Sequence, residues 1–307
     1  MNRNSYMKIT SLLISLCFSY SVLAQSTELE KIEKAWQKLL AEEHPAARQQ
    51  QLNAFEGQIG AAVHLKSEID LSGLANFTDL RSSDSSLRVV SYFIPLSNGE
   101  YILRGHISKM FTEKEAGLII GTLSAFGRKS ISEYDEDSVY CFCRNNVPRA
   151  WYYDLIETKD PFGNIQYTLL GWTPVNRLRH RKVVEALHFG LGDETVPEIE
   201  YGKPIFEVKG KRQHRMIYDY SAQTTMKLKF NAQQDRIVMD HLSPSSPEFE
   251  GVYEYYGPDL SFDALKWERD HWQYQPDVNV EEGLKKDKKA FDKKDKILEQ
   301  DMMYDSN

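Results

Sequence analysis

Hydrophobic and polar positions follow two different periods along this chain, and the period changes near Leu87. Before that point, the apolar residues of one stretch recur at intervals of three or four: Leu29, Ile32, Trp36, Leu39 and Leu40. This spacing predicts an amphipathic helix that is capped by Ser26 or Thr27 and ended by Pro45. A second, weaker helix is predicted over residues 46–59.

From Leu87 onward the dominant period is two, which is typical of β-strands with one buried face. Residues 87–93 and 101–109 flank Asn98-Gly99, a strong hairpin signal. Asp160-Pro-Phe-Gly163 predicts a turn between strands at 150–157 and 165–172. Further strands are predicted at 139–144, 182–189, 213–220, 224–230, 236–242, 252–256, 261–267 and 271–274.

These patterns predict a mainly β (α+β) fold, an antiparallel β meander of about a dozen short strands with N-terminal helices. The meander could be barrel-like, a sandwich or propeller-like, because periodicity does not decide how strands close. The expected segments are a signal peptide (1–24), a helical N-terminal segment (25–85), a β-rich domain (86–280) with one inserted helix near 112–127, and a charged Lys-rich tail (281–307).

The first residues indicate export. Arg3 and Lys8 precede a short, mostly apolar run, and small residues, Val22 and Ala24, stand before the expected cleavage at Gln25. A lipoprotein signal ending at Cys17 is the alternative. Export would leave only Cys141 and Cys143, which we interpret as buried strand residues in preference to a redox pair or half a metal site.

Composition and charge exclude several function classes. The formal net charge is −7, which argues against binding nucleic acid through phosphate neutralisation. Hydrophobic residues make up 41% of the chain, so a sizeable folded core is expected. Beyond the signal, the sequence shows no apolar run of about 18 residues, so no transmembrane span is expected in the mature chain.

A search for catalytic motifs finds no Gly-x-Ser-x-Gly, His-Glu-x-x-His, phosphate-binding loop or Cys-x-x-Cys pattern. Asp240-His241 suggests a hydrolase, but adjacent residues on a strand point to opposite faces. We therefore predict that Asp240 does not orient His241 and that His241 is a buried structural histidine. No catalytic residue, metal ligand or cofactor is assigned.

Several residues are candidates for ligand binding. Tyr256, Asp259 and Asp263 lie in one turn-rich stretch, for which a calcium loop is a weaker interpretation. Trp172 belongs to a dense set of aromatic residues that could form a ligand platform. Arg177, Arg179 and Arg181 form a basic stretch that could bind an anionic envelope component. For each set, packing or solvation is the competing interpretation.

Several segments together resemble a family of uncharacterised exported proteins from Bacteroidetes bacteria. They include Tyr167-Thr-Leu-Leu-Gly-Trp172, Arg215-Met-Ile-Tyr-Asp-Tyr-Ser221, and the stretch from Asp240-His-Leu-Ser-Pro244 to Trp267. The similarity spans roughly residues 69–280. It implies a periplasmic or outer-membrane-associated location. The family has no assigned activity, so the resemblance assigns no catalytic residue.

The sequence thus favours a non-enzymatic exported envelope protein, an accessory or binding module of the periplasm or outer membrane. Its expected partner is an outer-membrane export or uptake complex or another cell-envelope component. The alternative is a hydrolase or carbohydrate-active enzyme whose site lies at the loop ends of the β-sheet.

Overall fold

A computed structural model of the chain describes residues 27–60, 62–63, 67–109, 119–122, 143–144, 150–192, 196–201 and 204–279. The predicted signal peptide, the charged tail beyond residue 280 and Cys141 lie outside the described residues. The chain divides into two compact units, residues 1–75 and 76–307.

The first unit contains the two predicted helices. Helix α1 covers residues 27–40, and its buried side chains are Ile32, Trp36 and Leu39, which confirms the predicted apolar stripe. Helix α2 is Pro45–Ile59, and its first residue is a proline that needs no amide partner there. The rings of Trp36 and Phe55 lie 5.1 Å apart and join the two helices.

The second unit is built from strands, as predicted. The strands are β1 (Phe77–Arg81), β2 (Leu87–Pro95), β3 (Tyr101–Lys109), β4 (Ile119–Thr122), β5 (Cys143–Arg144), β6 (Trp151–Lys159), β7 (Ile165–Pro174), β8 (Arg179–Gly192), β9 (Val196–Tyr201), β10 (Phe206–Val208), β11 (Lys211–Gln213), β12 (Arg215–Ser221), β13 (Leu228–Asn231), β14 (Arg236–Pro244), β15 (Tyr256–Glu268) and β16 (His271–Gln275). Two short 3₁₀ turns, Pro247–Phe249 and Tyr253–Tyr255, precede β15.

The strands form three sheets. Sheet I has the order β1-β2-β3-β4, and sheet II has the order β5-β9-β8-β7-β6 with β12 also paired to β8. Sheet III has the order β11-β10-β16-β15-β14-β13. Each described sheet is open, with a separate strand at either end. Most pairs are antiparallel neighbours in sequence, but β10 and β16 pair in parallel.

Sheet II carries a hydrophobic core on each of its faces. One core joins Leu87, Val89 and Ile107 of sheet I to residues such as Leu169 and Val183 of sheet II. The other joins further sheet II residues to sheet III, with Leu170, Val184, Met216, Ile237, Leu265 and Trp272 among its members. Sheet II is therefore sandwiched between the other two, which explains why β7 is buried over most of its length.

Two predicted elements are corrected. Residues 119–122 form β4 in place of the middle of the expected helix at 112–127, because Ile119 and Ile120 pair with the exposed edge of β3. The rest of that helix lies outside the described residues. Strand β1 falls within the segment expected to be helical up to residue 85, because Phe77–Arg81 pairs residue by residue with β2.

Candidate functional site

A break in strand pairing shapes one part of sheet III. The antiparallel register of β14 and β15 shifts between Asp240 and Leu242. His241 therefore faces three residues of β15 that have no direct partner: Asp259, Leu260 and Ser261. Such a bulge changes the direction in which side chains point, so it brings polar groups of both strands together.

Asp263 is the hub of this polar group. Its Oδ2 atom lies 2.8 Å from His241 Nδ1 and accepts a hydrogen bond of 2.6 Å from the Tyr274 hydroxyl. Its Oδ1 atom accepts a hydrogen bond of 3.1 Å from the Asp277 amide. Because the carboxylate is buried and held on both oxygens, it fixes the orientation of the imidazole.

His241 is less buried than we predicted. Its side chain is 42% exposed, and its Nε2 lies 4.0 Å from Asp259 Oδ2. The prediction of a buried histidine was wrong because the bulge turns the residue out of the alternation that buries Ile237 and Met239. The hydrogen bond to Asp263 raises the pKa of His241 against the opposing effect of burial, and the charges of Asp263, Asp259 and Asp277 add to the rise.

Among the described residues, no serine or cysteine is hydrogen-bonded to the imidazole of His241. Across the described residues, the hydrogen-bond and ion-pair partners of the imidazole are the carboxylates of Asp263 and Asp259. The Asp240 carboxylate points elsewhere and accepts a hydrogen bond of 2.7 Å from the Lys227 amide. This confirms that Asp240 does not orient His241. The group is thus a charged edge, in which the hydroxyl of Ser261 is bonded to Asp259 and not to His241, unlike the serine of a triad.

Asp259 is anchored within the bulge. Its Oδ1 atom accepts hydrogen bonds from the Ser261 amide at 3.1 Å and the Ser261 hydroxyl at 2.7 Å. Although desolvation works in the opposite direction, these bonds and the attraction of His241 lower the pKa of Asp259. Asp259 therefore presents a carboxylate to solvent beside the imidazole.

A patch of exposed apolar side chains adjoins the bulge in sequence. Six large hydrophobic residues are strongly exposed among the described residues, and four of them fall within residues 252–260: Val252, Tyr253, Tyr255 and Leu260. Leu260 is 90% exposed and has a backbone φ of 74°, a conformation that costs energy for a leucine. We call residues 249–260 the aromatic segment.

The aromatic segment is well packed against itself. The rings of Phe249 and Tyr255 stack with centroids 4.1 Å apart, and those of Tyr253 and Tyr256 lie 5.1 Å apart. The Gly251 amide donates a hydrogen bond of 2.9 Å to the Tyr256 hydroxyl. The exposed rings are therefore held in place by contacts within the segment. The strand predicted at 252–256 is replaced by the second 3₁₀ turn.

The remaining sequence candidates lie elsewhere. Trp172 is 3% exposed, and its ring contacts those of Phe93, Tyr101 and His180, so it belongs to the core. Arg177 is exposed in the turn before β8.

The other two arginines of the basic stretch turn toward Asp219. Arg181 is buried and binds both oxygens of that carboxylate, at 2.5 and 2.8 Å. Arg179 Nη1 lies 3.7 Å from the same carboxylate. The anion-binding interpretation of this stretch therefore depends mainly on Arg177.

In the part of the chain that the structure describes, no group of three His, Cys, Asp or Glu side chains is arranged to hold a metal ion. Within the same residues, no helix is both long and apolar enough to cross a membrane.

Comparison with known proteins adds no family assignment. No protein-family model matches the chain, and no curated protein matches it.

Proposed function

We propose that this protein is a non-enzymatic binding module of the bacterial cell envelope, exported to the periplasm or the periplasmic side of the outer membrane. We further propose that it docks on a protein component of an outer-membrane export or uptake complex. The observation that carries the proposal is the concentration of exposed apolar side chains in the aromatic segment, beside the charged edge of His241 and Asp259.

The composition of the aromatic segment favours a protein partner. Tyrosine is enriched in protein interfaces, and exposed aliphatic side chains such as Val252 and Leu260 gain most from burial against other apolar side chains. Leu260 is the most exposed of these side chains, and its backbone is strained. Neither its exposure nor its strain stabilises the folded protein. Charged groups at the rim of an interface contribute specificity, and His241 and Asp259 are placed to do so.

A hydrolase or carbohydrate-active enzyme is the second candidate, favoured by the oriented His241–Asp263 pair. The pair could act as a general base on a bound water. The present geometry supports this less well, because the partner of Nε2 among the described residues is the carboxylate of Asp259, 4.0 Å away.

The test compares two variants of the full chain, tagged at the C-terminus and purified from envelope membranes after reversible crosslinking. Tyr253→Ser/Tyr255→Ser/Leu260→Ser removes the proposed surface. Phe162→Ser/Leu178→Ser removes exposed apolar side chains elsewhere. We expect a stoichiometric envelope protein to copurify with wild type and the control and to be lost from the first variant. Equal recovery with both would refute the docking surface.

A further inference from the structure

A cavity of about 460 Å³ opens where the ends of sheets II and III meet. Sheet II contributes the β6–β7 turn, residues 160–162, and Gln166 at the start of β7. Sheet III contributes residues 204–205 before β10, Arg212 of β11 and the β15–β16 turn, residues 269–270. The volume falls within the range of roughly 300–1,000 Å³ that is typical of small-molecule sites. None of these residues belongs to the aromatic segment, so the cavity is a separate site.

Two tryptophans of sheet III hold the walls of the cavity together. The Trp267 indole donates a hydrogen bond of 3.0 Å to the Lys159 carbonyl, at the start of the β6–β7 turn. The Trp272 indole donates a hydrogen bond of 3.0 Å to the Thr168 hydroxyl of β7. The two sheets are therefore tied to each other next to the cavity, which is formed without a ligand.

Gln166 brings a buried amide to the cavity. The residue is 7% exposed, and its side chain has no hydrogen-bond partner in the described part of the chain. Strand alternation places it on the same face of β7 as Thr168 and Leu170, which pack toward sheet III. A buried amide without a partner is costly, and a ligand hydroxyl can both donate to its oxygen and accept from its nitrogen.

The charged groups of the lining leave one guanidinium without a partner. Arg212 is bound by Asp270, with 3.2 Å between each terminal nitrogen and a carboxylate oxygen. Asp160 Oδ1 accepts two backbone amide hydrogen bonds of 2.9 Å within its own turn. The guanidinium of Arg269 makes no hydrogen bond or ion pair among the described residues. Arg269 is thus the group of the lining that is placed to bind the carboxylate of a ligand.

Two lining residues are placed at a cost to stability. Arg269 has a φ of 61°, in the two-residue turn between Glu268 and His271, where glycine would be favoured. Phe162 exposes 90% of its surface. Folding gains nothing from either choice. An exposed ring beside polar groups offers an apolar surface on which the C–H face of a sugar can pack.

We propose that this cavity binds an acidic monosaccharide, a hexuronate. Its carboxylate pairs with Arg269, its hydroxyls bond to the Gln166 amide, and one face of its ring packs on Phe162. A neutral sugar lacks the carboxylate, and a simple carboxylate lacks the ring and its hydroxyls. Both should therefore bind more weakly than the hexuronate.

The test uses D-glucuronate as the probe, titrated against the full-length protein at neutral pH and followed by ligand-observed NMR. D-glucose and acetate are the comparison ligands. We expect glucuronate to bind at least about tenfold more tightly than either of them, because it alone engages all three contacts. Affinity for glucuronate no greater than that for glucose or for acetate would overturn the proposal.

Arg269→Gln and Arg177→Gln are a matched pair, because both arginines are exposed in turns. We expect the first variant to lose about tenfold in glucuronate affinity and the second to bind like wild type. Arg269→Gly should lose affinity equally while keeping or raising the melting temperature, since glycine suits the backbone of that turn. Wild-type affinity in either Arg269 variant, or an equal loss in Arg177→Gln, would contradict the role of Arg269.

Gln166→Leu tests the hydroxyl contact, because leucine fills a similar volume without the amide. We expect the affinity for glucuronate to fall severalfold while the melting temperature is unchanged or higher, since a buried amide without a partner has been removed. Wild-type affinity in this variant would exclude the role of Gln166. A large drop in the melting temperature would show that the amide serves folding, which would also contradict its assignment to a ligand.

Discussion

At the scale of single residues, the most consequential side chain of the candidate site is Asp263. It accepts hydrogen bonds from His241, Tyr274 and the Asp277 amide while remaining buried. Sequence alone identified Asp263 as a candidate, yet it could not pair Asp263 with Tyr274, because that contact depends on the register of β15 with β16.

Asp263→Ala is expected to destabilise the protein by about 2–3 kcal/mol, because it leaves the Tyr274 hydroxyl and the Asp277 amide without their acceptor. His241→Ala should cost about 1 kcal/mol or less, because the imidazole is partly exposed. Urea unfolding of both variants measures the difference. Equal losses, or a larger loss for His241→Ala, would contradict the role of Asp263 as hub.

The pH dependence of the His241 contribution has a defined sign. The pKa of His241 is raised in the folded state. The contribution of His241 to stability is therefore fully present below pH 6.5, its ordinary pKa, and is lost as the pH rises through the pKa of the folded protein. The gap in melting temperature between wild type and His241→Ala should therefore narrow from about pH 6 to about pH 9. A difference in melting temperature that widens from about pH 6 to about pH 9 would contradict a raised pKa of His241 in the folded protein.

Arg181 and Asp219 form a buried ion pair, so breaking it from one side should be costly. Asp219→Ala is expected to destabilise by about 3–5 kcal/mol, because the guanidinium loses its bidentate partner in the core. The double variant Arg181→Met/Asp219→Leu should be closer to wild type than Asp219→Ala alone. Thermal unfolding gives both values, and a double variant less stable than the single would contradict this account.

At the scale of elements, local signals predicted hairpins well and long-range pairing poorly. The turns predicted at Asn98-Gly99 and Asp160–Gly163 are present in the structure. Gly99 and Gly163 both have a positive φ. The parallel pairing of β10 with β16 and the pairing of β12 with β8 join distant segments, for which the sequence offers no local signal. Residues Tyr253–Tyr255 form a 3₁₀ turn although their sequence predicts a strand, because valine and tyrosine have high β-propensity in any tertiary context.

Replacing glycine by alanine is expected to change the stability of the protein in opposite directions at two positions, one in β7 and one in α2. A Cβ at Gly171 in β7 would lie 2.9 Å from Tyr152 Cδ1 in the core, so Gly171→Ala should destabilise by about 1–3 kcal/mol. A Cβ at Gly57 in α2 meets nothing within 4 Å, so Gly57→Ala should stabilise its helix by about 0.5–1 kcal/mol. Chemical denaturation checks both, and a stabilising Gly171→Ala would contradict the packing of sheet II.

At the scale of the whole β-rich unit, the sequence predicted the strands and left their assembly open among a barrel, a sandwich and a propeller. The described sheets are open, and sheet II lies between two cores. Buried charges such as Arg181 and Lys182 obscured this arrangement, because strands buried on both faces are expected to be almost entirely apolar. The sequence also left the position of Trp172 open, because aromatic content alone does not distinguish a ligand platform from core packing; the structure places it in the core.

The most direct test of the central claim is site-specific photo-crosslinking in living cells. A photoreactive phenylalanine replaces Tyr255 in the aromatic segment or, as the matched control, Phe162 in the β6–β7 turn, two exposed aromatic positions. We predict one discrete crosslinked envelope protein from position 255 and none from position 162, with the product lost when Leu260→Ser is added. No discrete product from position 255, or the same product from both positions, would contradict the claim that the aromatic segment is the docking surface.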